Sequence, residues 1–352
     1  MKDTTRLKSG NVVDIAQYKK NAVKNKKPPK KLNREAERAA QELIYDAWES
    51  DNKKTRISFA KEALLLFPDC ADAYNLLAED AAKSLEESKE FYRLGMEAGR
   101  RALGEKIFKE DSGYFWGLLE TRPYMRSRAG LMNCLWDEGS HDEAIGHARA
   151  LLQLNKNDNQ GIRYILISYL ACLGRYDELE TFMNSPEYQD DGMAEWLYTK
   201  ALLFFVKTGD SIKARKELSA ALHMNKHVPK YLTGKKKIPR LLPDRITVGG
   251  EDEACCYAAG NIDAWRKVQG ALDWLKAQTF VLPEWSAPAS QRWNRIPAGT
   301  RKRILGNVWC PRCATGVSME LQNGALDGGC LVLRGTCKRC GGNVVRLIEP
   351  EE

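Results

Sequence analysis

Apolar side chains recur at three- and four-residue spacing over residues 124–136, 162–173 and 194–206, a period that predicts an amphipathic helix in each stretch. A glycine-bearing turn follows each one: E-G-S-H at 138–141, L-G-R-Y at 173–176 and T-G-D-S at 208–211. Glycine near a helix end supplies the left-handed residue that stops the helix. A second, shorter amphipathic helix then starts near Asp142, Asp177 and Ile212, so that Ala144, Leu179 and Ala214 lie 35 residues apart. Asp210 or Ser211 can cap the last of these by accepting from its free backbone N–H groups. Two helices and two turns per period make a helical hairpin that repeats. The small residues Ala144, Ala148, Ala214 and Ala221 let helix axes approach closely, and Tyr169, Leu170, Leu203 and Phe204 are expected to fill the space between hairpins.

Upstream, F-A-K-E-A-L-L-L-F-P-D-C-A-D-A-Y-N-L-L-A-E (59–79) carries a helix, its terminal proline and the start of the next helix, with Ala63, Pro68, Tyr74 and Leu77 in order. With the 35-residue period, this stretch resembles the tetratricopeptide repeat. That resemblance implies stacked helix pairs in a right-handed superhelix with a concave groove. Between 82 and 121 the period stretches, through a longer helix over 84–104 and an irregular insert. The insert's Tyr114, Phe115 and Trp116 are expected in the core beneath a loop, with a binding surface as the other reading.

Four longer runs narrow the resemblance: L-L-E-T-R-P-Y-M-R-S-R-A-G-L (118–131), H-V-P-K-Y-L-T-G-K-K-K-I-P (227–239), G-G-E-D-E-A-C-C-Y-A (249–258) and A-W-R-K-V-Q-G-A-L-D-W-L (264–275). Over residues 36–277 they resemble the bacterial branch of the suppressor-of-tumorigenicity-7 family. The resemblance implies a tetratricopeptide-like body and a scaffold, with no assigned catalytic residues. The chain departs from the family's membrane-anchored animal members, since no apolar run approaches the roughly 20 residues that cross a bilayer. Physically, 227–277 reads as a cap: Pro229, Gly234, Pro239 and Pro243 break the repeat, and Glu251-Asp252-Glu253 place negative charge at a helix N-terminus.

The helical pattern ends near Leu282, and 281–303, with three prolines, reads as a linker whose tryptophans dock on a neighbour. Residues 317–321, 331–334 and 343–348 have β-type composition and predict a small three-stranded sheet, its first two strands joined by D-G-G at 327–329. Flanking it are two C-x-x-C pairs, Cys310/Cys313 and Cys337/Cys340, separated by 23 residues. Two residues between cysteines let a tight turn aim both sulfurs at one point, and two such turns complete a Zn–S tetrahedron with bonds of about 2.3 Å. A structural Zn2+ on Cys310, Cys313, Cys337 and Cys340 is therefore expected. Redox chemistry, which wants one such pair opening a helix in a βαβ unit, and disulfides, which a reducing compartment disfavours, are the competing readings. The pattern resembles a zinc ribbon over 306–349, and Cys330 reads as a packed thiol or a substitute ligand.

The expected fold is mainly α: a tetratricopeptide-like helical-hairpin solenoid followed by a small β zinc ribbon. Its parts are a disordered basic arm (1–34), the repeats (35–226), a helical cap (227–280), the linker (281–304) and the ribbon (305–352). Of the net charge of +8, the arm carries +9, from eleven Lys or Arg against Asp3 and Asp14, and the remainder sums to −1. Such a tail binds phosphate backbones or an acidic partner, or merely solubilises. An N-terminus without a signal-peptide apolar run, and adjacent Cys255 and Cys256, predict a cytoplasmic protein.

Catalytic patterns fail on context. S-F-A-K (58–61) and K-T-G (207–209) match pieces of a serine-acylase signature, but one falls on a repeat helix and the other on an inter-helix turn. Phosphate-loop, dinucleotide, zincin and nucleophile-elbow motifs are missing, and the four histidines read as structural. The expectation is a non-enzymatic adaptor whose groove holds a peptide or helix of a partner protein, without membrane insertion. The alternative is a nucleic-acid-associated protein using the arm and the ribbon, whose residues 290–352 carry ten basic against five acidic side chains.

Overall fold

The computed structural model describes residues 32–278, 285, 287–327 and 329–349. Residues 1–31 of the expected basic arm and 281–284 and 286 of the expected linker lie outside the described residues. The chain is mainly helical and ends in small antiparallel sheets, as its periodicities predict. It divides into two compact units, with the division between Leu166 and Ile167. No helix among the described residues is long and apolar enough to cross a membrane.

The first unit begins with α1 (Leu32–Glu49), α2 (Lys53–Leu66), α3 (Ala71–Asp80) and α4 (Leu85–Leu103). A short α5 (Glu105–Glu110) and two 3-10 turns lead to α6 (Arg122–Asp137) and α7 (His141–Leu154). Helices α1 to α4 pack each on the next, α4 packs on α6, and α6 packs on α7. Ala40, Ile44, Ala63, Tyr74, Leu77, Phe91 and Leu94 form a continuous core among the first four. Starts are defined by caps: Asn52 accepts from the N–H groups of Lys54 and Thr55, and Ser84 accepts from Glu87 N–H while the Glu87 carboxylate accepts from Lys83 N–H.

Asp72, on α3, is 0% exposed. Its carboxylate accepts from Arg126 Nε (2.9 Å) and Nη2 (2.5 Å) of α6, Gln41 Nε2 (3.2 Å) of α1 and Asn75 Nδ2 (3.0 Å). A buried charge is tolerated only with such charge-assisted donors around it, and here they tie the first helices of three successive hairpins together. The insert splits: Phe115 is buried against Phe108 and Tyr124, as expected, whereas Tyr114 is 73% exposed and Trp116 lies half-buried under the Arg122 guanidinium.

Helix α8 (Ile162–Cys172) spans the division, and the second unit continues with α9 (Tyr176–Met183), α10 (Ala194–Thr208) and α11 (Ile212–Met224). The second helices start at His141, Tyr176 and Ile212, and Gly139, Gly174 and Gly209 just before them have φ of +93°, +70° and +61°. Ser211 makes the cap, accepting from Ala214 N–H at 3.1 Å. Next come α12 (Val228–Leu232), α13 (Glu251–Lys267) and α14 (Ala271–Gln278). Glu253, in the acidic first turn of α13, is 0% exposed and accepts from Ala194 N–H (3.3 Å), Asn225 Nδ2 (2.8 Å) and Gly249 N–H (2.8 Å). Its charge thus joins three segments instead of merely complementing a helix dipole.

Residues 287–304 of the expected linker, with 305 and 306 of the expected ribbon, form α15 (Ala287–Arg295) and α16 (Ala298–Gly306). Their prolines mislead because Pro288 sits in a first turn and Pro297 at an N-cap, where a missing N–H costs nothing. Two strands among the described residues, β1 (Val308–Cys310) and β2 (Thr315–Val317), pair with each other ahead of the expected three-stranded sheet, which β3 (Met319–Asp327), β4 (Cys330–Cys337) and β5 (Asn343–Ile348) form, antiparallel in that order. Ala289 and Trp293 of α15 pack with Val308, Val317, Leu331, Leu333 and Val344, and Ile304 and Leu305 of α16 close the edge. Trp285 lies against Gly324, where a Cβ would stand 2.8 Å from the indole.

Helix α4 approaches α3 and α6 closely because Gly95 and Gly99 face them. A Cβ on Gly95 would stand 2.7 Å from Ser127 Oγ and 3.2 Å from the Ala71 carbonyl oxygen. The Ser127 hydroxyl cannot swing away without abandoning Asn75 Oδ1, to which it donates at 2.7 Å. Gly95→Ala is expected to lower the urea midpoint, since overpacking of about 1–3 kcal/mol exceeds a helix-propensity gain of about 1 kcal/mol. Gly146→Ala on α7, with nothing within 4 Å of the new methyl, should raise it by that propensity gain.

Candidate metal centre

Strand β1 ends in Cys310 and β4 in Cys337; each is followed by a two-residue turn and the second cysteine of its pair. Both turns close in the same way. Ala314 and Gly341, the residues directly after Cys313 and Cys340, have φ of +49° and +67°, so the chain turns in the left-handed region as it leaves each second cysteine. In the second turn, Gly341 N–H donates to the Cys337 carbonyl and Cys337 N–H to the Gly342 carbonyl, both at 2.8 Å. Arg339 N–H points at Cys337 Sγ, 3.4 Å away.

These turns bring together all four sulfurs singled out by the spacing. Cys310 Sγ lies 3.6 Å from Cys340 Sγ, Cys313 Sγ lies 3.9 Å from Cys337 Sγ, and all four fall within 4.8 Å of one another. A disulfide needs about 2.05 Å, so these are free thiols in a cluster. A tetrahedral ion with Zn–S of about 2.3 Å has S···S edges of about 3.8 Å, and these two separations bracket that value. The donor set therefore fits a soft, tetrahedral cation.

Electrostatics favour the same use. At Cys310 burial pushes the thiol up, but the amides of Cys313 and Arg312 and the adjoining thiols outweigh it and hold it at about 7. Cys313 is pushed up to about 12 by burial and by the three other thiols around it. One thiolate is thus easily formed, while a full set needs a cation among them. Cys330 pairs with Asp327 at the opposite end of β4, seven residues from Cys337, and is not part of the cluster.

The other singled-out residues are not gathered. His147 is half-buried near Arg128, and desolvation lowers it to about 4; His227 lies 3.5 Å from Glu251. Lys236 of the basic turn pairs with Glu251, and Lys207 of K-T-G pairs with Asp177 and Glu180. Ser58 and Lys61 lie on α2. Sequence reasoning missed a hub at Asp210, which accepts from Arg215 and Trp274; its only sequence signal was a cap position.

A family model described as ST7 protein matches residues 31–112 and 207–297, ending before Cys310. Curated proteins named "Suppressor of tumorigenicity 7 protein-like" are similar to the chain: the human one is 28% identical over 272 residues, covering 68% of the chain and 45% of the relative. The chicken one is 27% identical over 271 residues, covering 68% and 46%. The chain spans about half the length of the curated relatives it matches. A solved structure described as "YrrB: a TPR protein with an unusual peptide-binding site" superposes with a TM-score of 0.38 at 19% identity, over 60% of the chain and 93% of that protein.

A left-handed alanine costs about 1–2 kcal/mol, partly offset by glycine's larger entropy loss on folding. Ala314→Gly is thus expected to stabilise the C-terminal sheets by about 0.5–1 kcal/mol in thermal melts of the full chain. Gly341→Ala reverses the sign.

Proposed function

We propose that the chain is a non-enzymatic protein-interaction scaffold, related to the suppressor-of-tumorigenicity-7 proteins it resembles, whose C-terminal sheets are closed by a structural Zn2+. Stacked helical hairpins bury a continuous core with one side of each helix and leave open faces for recognition. The observation that carries the reading is the face shared by α1, α3 and α6. Tyr45 and Trp48 stand exposed with ring centroids 5.7 Å apart, and the Arg126 guanidinium lies 5.2 Å over the Trp48 ring, held there by buried Asp72. Rigid aromatics beside an oriented cation suit a peptide or helix of a partner protein.

Cys310, Cys313, Cys337 and Cys340 would hold the ion. Four protein sulfurs fill a tetrahedral Zn2+ and leave no position for water, so the ion supplies folding free energy, not reactivity. Thiolates persist as ligands where thiols stay reduced, which supports a cytoplasmic location.

Affinity capture from lysate, with the intact chain and the Tyr45→Ala/Trp48→Ala variant, tests the interaction reading. Protein partners should survive nuclease treatment and fall at least tenfold in the variant. Capture unchanged by the variant contradicts the assigned face; capture lost entirely on nuclease treatment replaces the reading with nucleic-acid binding through the basic segments.

A further inference from the structure

The α10–α11 turn comes against the second cysteine turn within the same unit. A Cβ on Gly341 would stand 3.3 Å from both the carbonyl carbon and the Cβ of Arg215, so the two backbones touch at a residue only glycine suits. The Arg215 side chain is 13% exposed and is aimed by Asp210, which accepts from its Nε at 2.6 Å and its Nη2 at 2.7 Å; Nη2 also donates to the Asp210 carbonyl at 2.8 Å. Asp210 further accepts from Trp274 Nε1 of α14 at 2.7 Å, and Arg312, between Cys310 and Cys313, brings its Nη2 to 3.9 Å. One carboxylate thus joins the repeat turn, the last helix of the hairpin series and the first cysteine turn.

Four thiolates around a divalent ion carry a net charge of about −2. Asp210, Arg215 and Arg312 together carry +1, and the chain brings them beside the cysteine turns: Arg215 lies against Gly341, next to Cys340, and Arg312 stands between Cys310 and Cys313. Groups outside the ligand set that compensate its charge and orient it raise metal affinity. Linkage makes the effect reciprocal: what docking adds to metal affinity, the metal adds to docking.

We propose that Arg215, oriented by Asp210, is the outer-sphere charge partner of the four-cysteine centre, so that metal loading and docking of the sheets on the α10–α11 turn are one coupled event. The proposal rests on the reading of the four cysteines as a metal site. The metal-free thiols carry less charge, and the α10–α11 turn then loses its electrostatic partner. Arg215 is a positioning residue: it touches the cluster's field and not the ion.

The test uses the full chain and Zn2+ itself. Zinc transfer to a chromogenic chelator is followed for wild type, Arg215→Ala and Arg215→Lys, and amide exchange of residues 208–217 is compared in zinc-loaded and zinc-stripped wild type. Arg215→Ala should lower zinc affinity about 10–100-fold, Arg215→Lys should recover most of it by keeping the charge, and residues 208–217 should exchange faster after stripping. Equal zinc retention in wild type and Arg215→Ala, or unchanged exchange on stripping, overturns the coupling while leaving the metal site intact. A wild type that takes up no zinc overturns both.

Discussion

Four sulfurs held 3.6–3.9 Å apart in two facing pairs, without a bond between them, set the terms for the C-terminal part of the chain. Cys310 lies at the end of β1 in one sheet and Cys337 at the end of β4 in the other, so the cluster is the joint between them. β1 and β2 are three residues each, too short to order themselves by ladder hydrogen bonds. What apolar core exists comes partly from α15 and α16, and the cysteines belong to it. Contacts between neutral thiols contribute little, whereas a soft cation among four thiolates supplies folding free energy directly.

A related device recurs in the helical part. Asp72 and Glu253 are buried carboxylates, and each accepts from donors on more than one element. Leaving such a charge without its donors costs several kcal/mol, so they impose register on helices whose apolar faces alone would tolerate sliding. Close approach does the rest: Gly95 and Gly99 admit neighbouring backbones where any larger residue would hold them apart. Asp210, half-exposed, does the same where the helices meet the cysteine turns.

Much of this was legible in the chain. The 35-residue period, the glycines ending the first helices and the Ser211 cap all have local causes, and local causes leave a sequence pattern. The four cysteines were legible because two tight turns of fixed length can aim only in a few ways. The helices over 287–306 were not, since Pro288 and Pro297 read as breakers until their places at helix starts are known. Exposed Tyr114 beside buried Phe115 was equally hidden, because three consecutive aromatics do not say which face the chain turns inward. The Asp210 hub depends on residues up to 102 positions apart, Asp210 to Arg312, and no periodicity records such a contact.

The direct test of the central claim is X-ray absorption at the zinc edge, read on the purified chain of 352 residues. Four sulfur neighbours at about 2.3 Å, with no nitrogen or oxygen, is the predicted result. A shell containing nitrogen or oxygen, or fewer than four sulfurs, would contradict it.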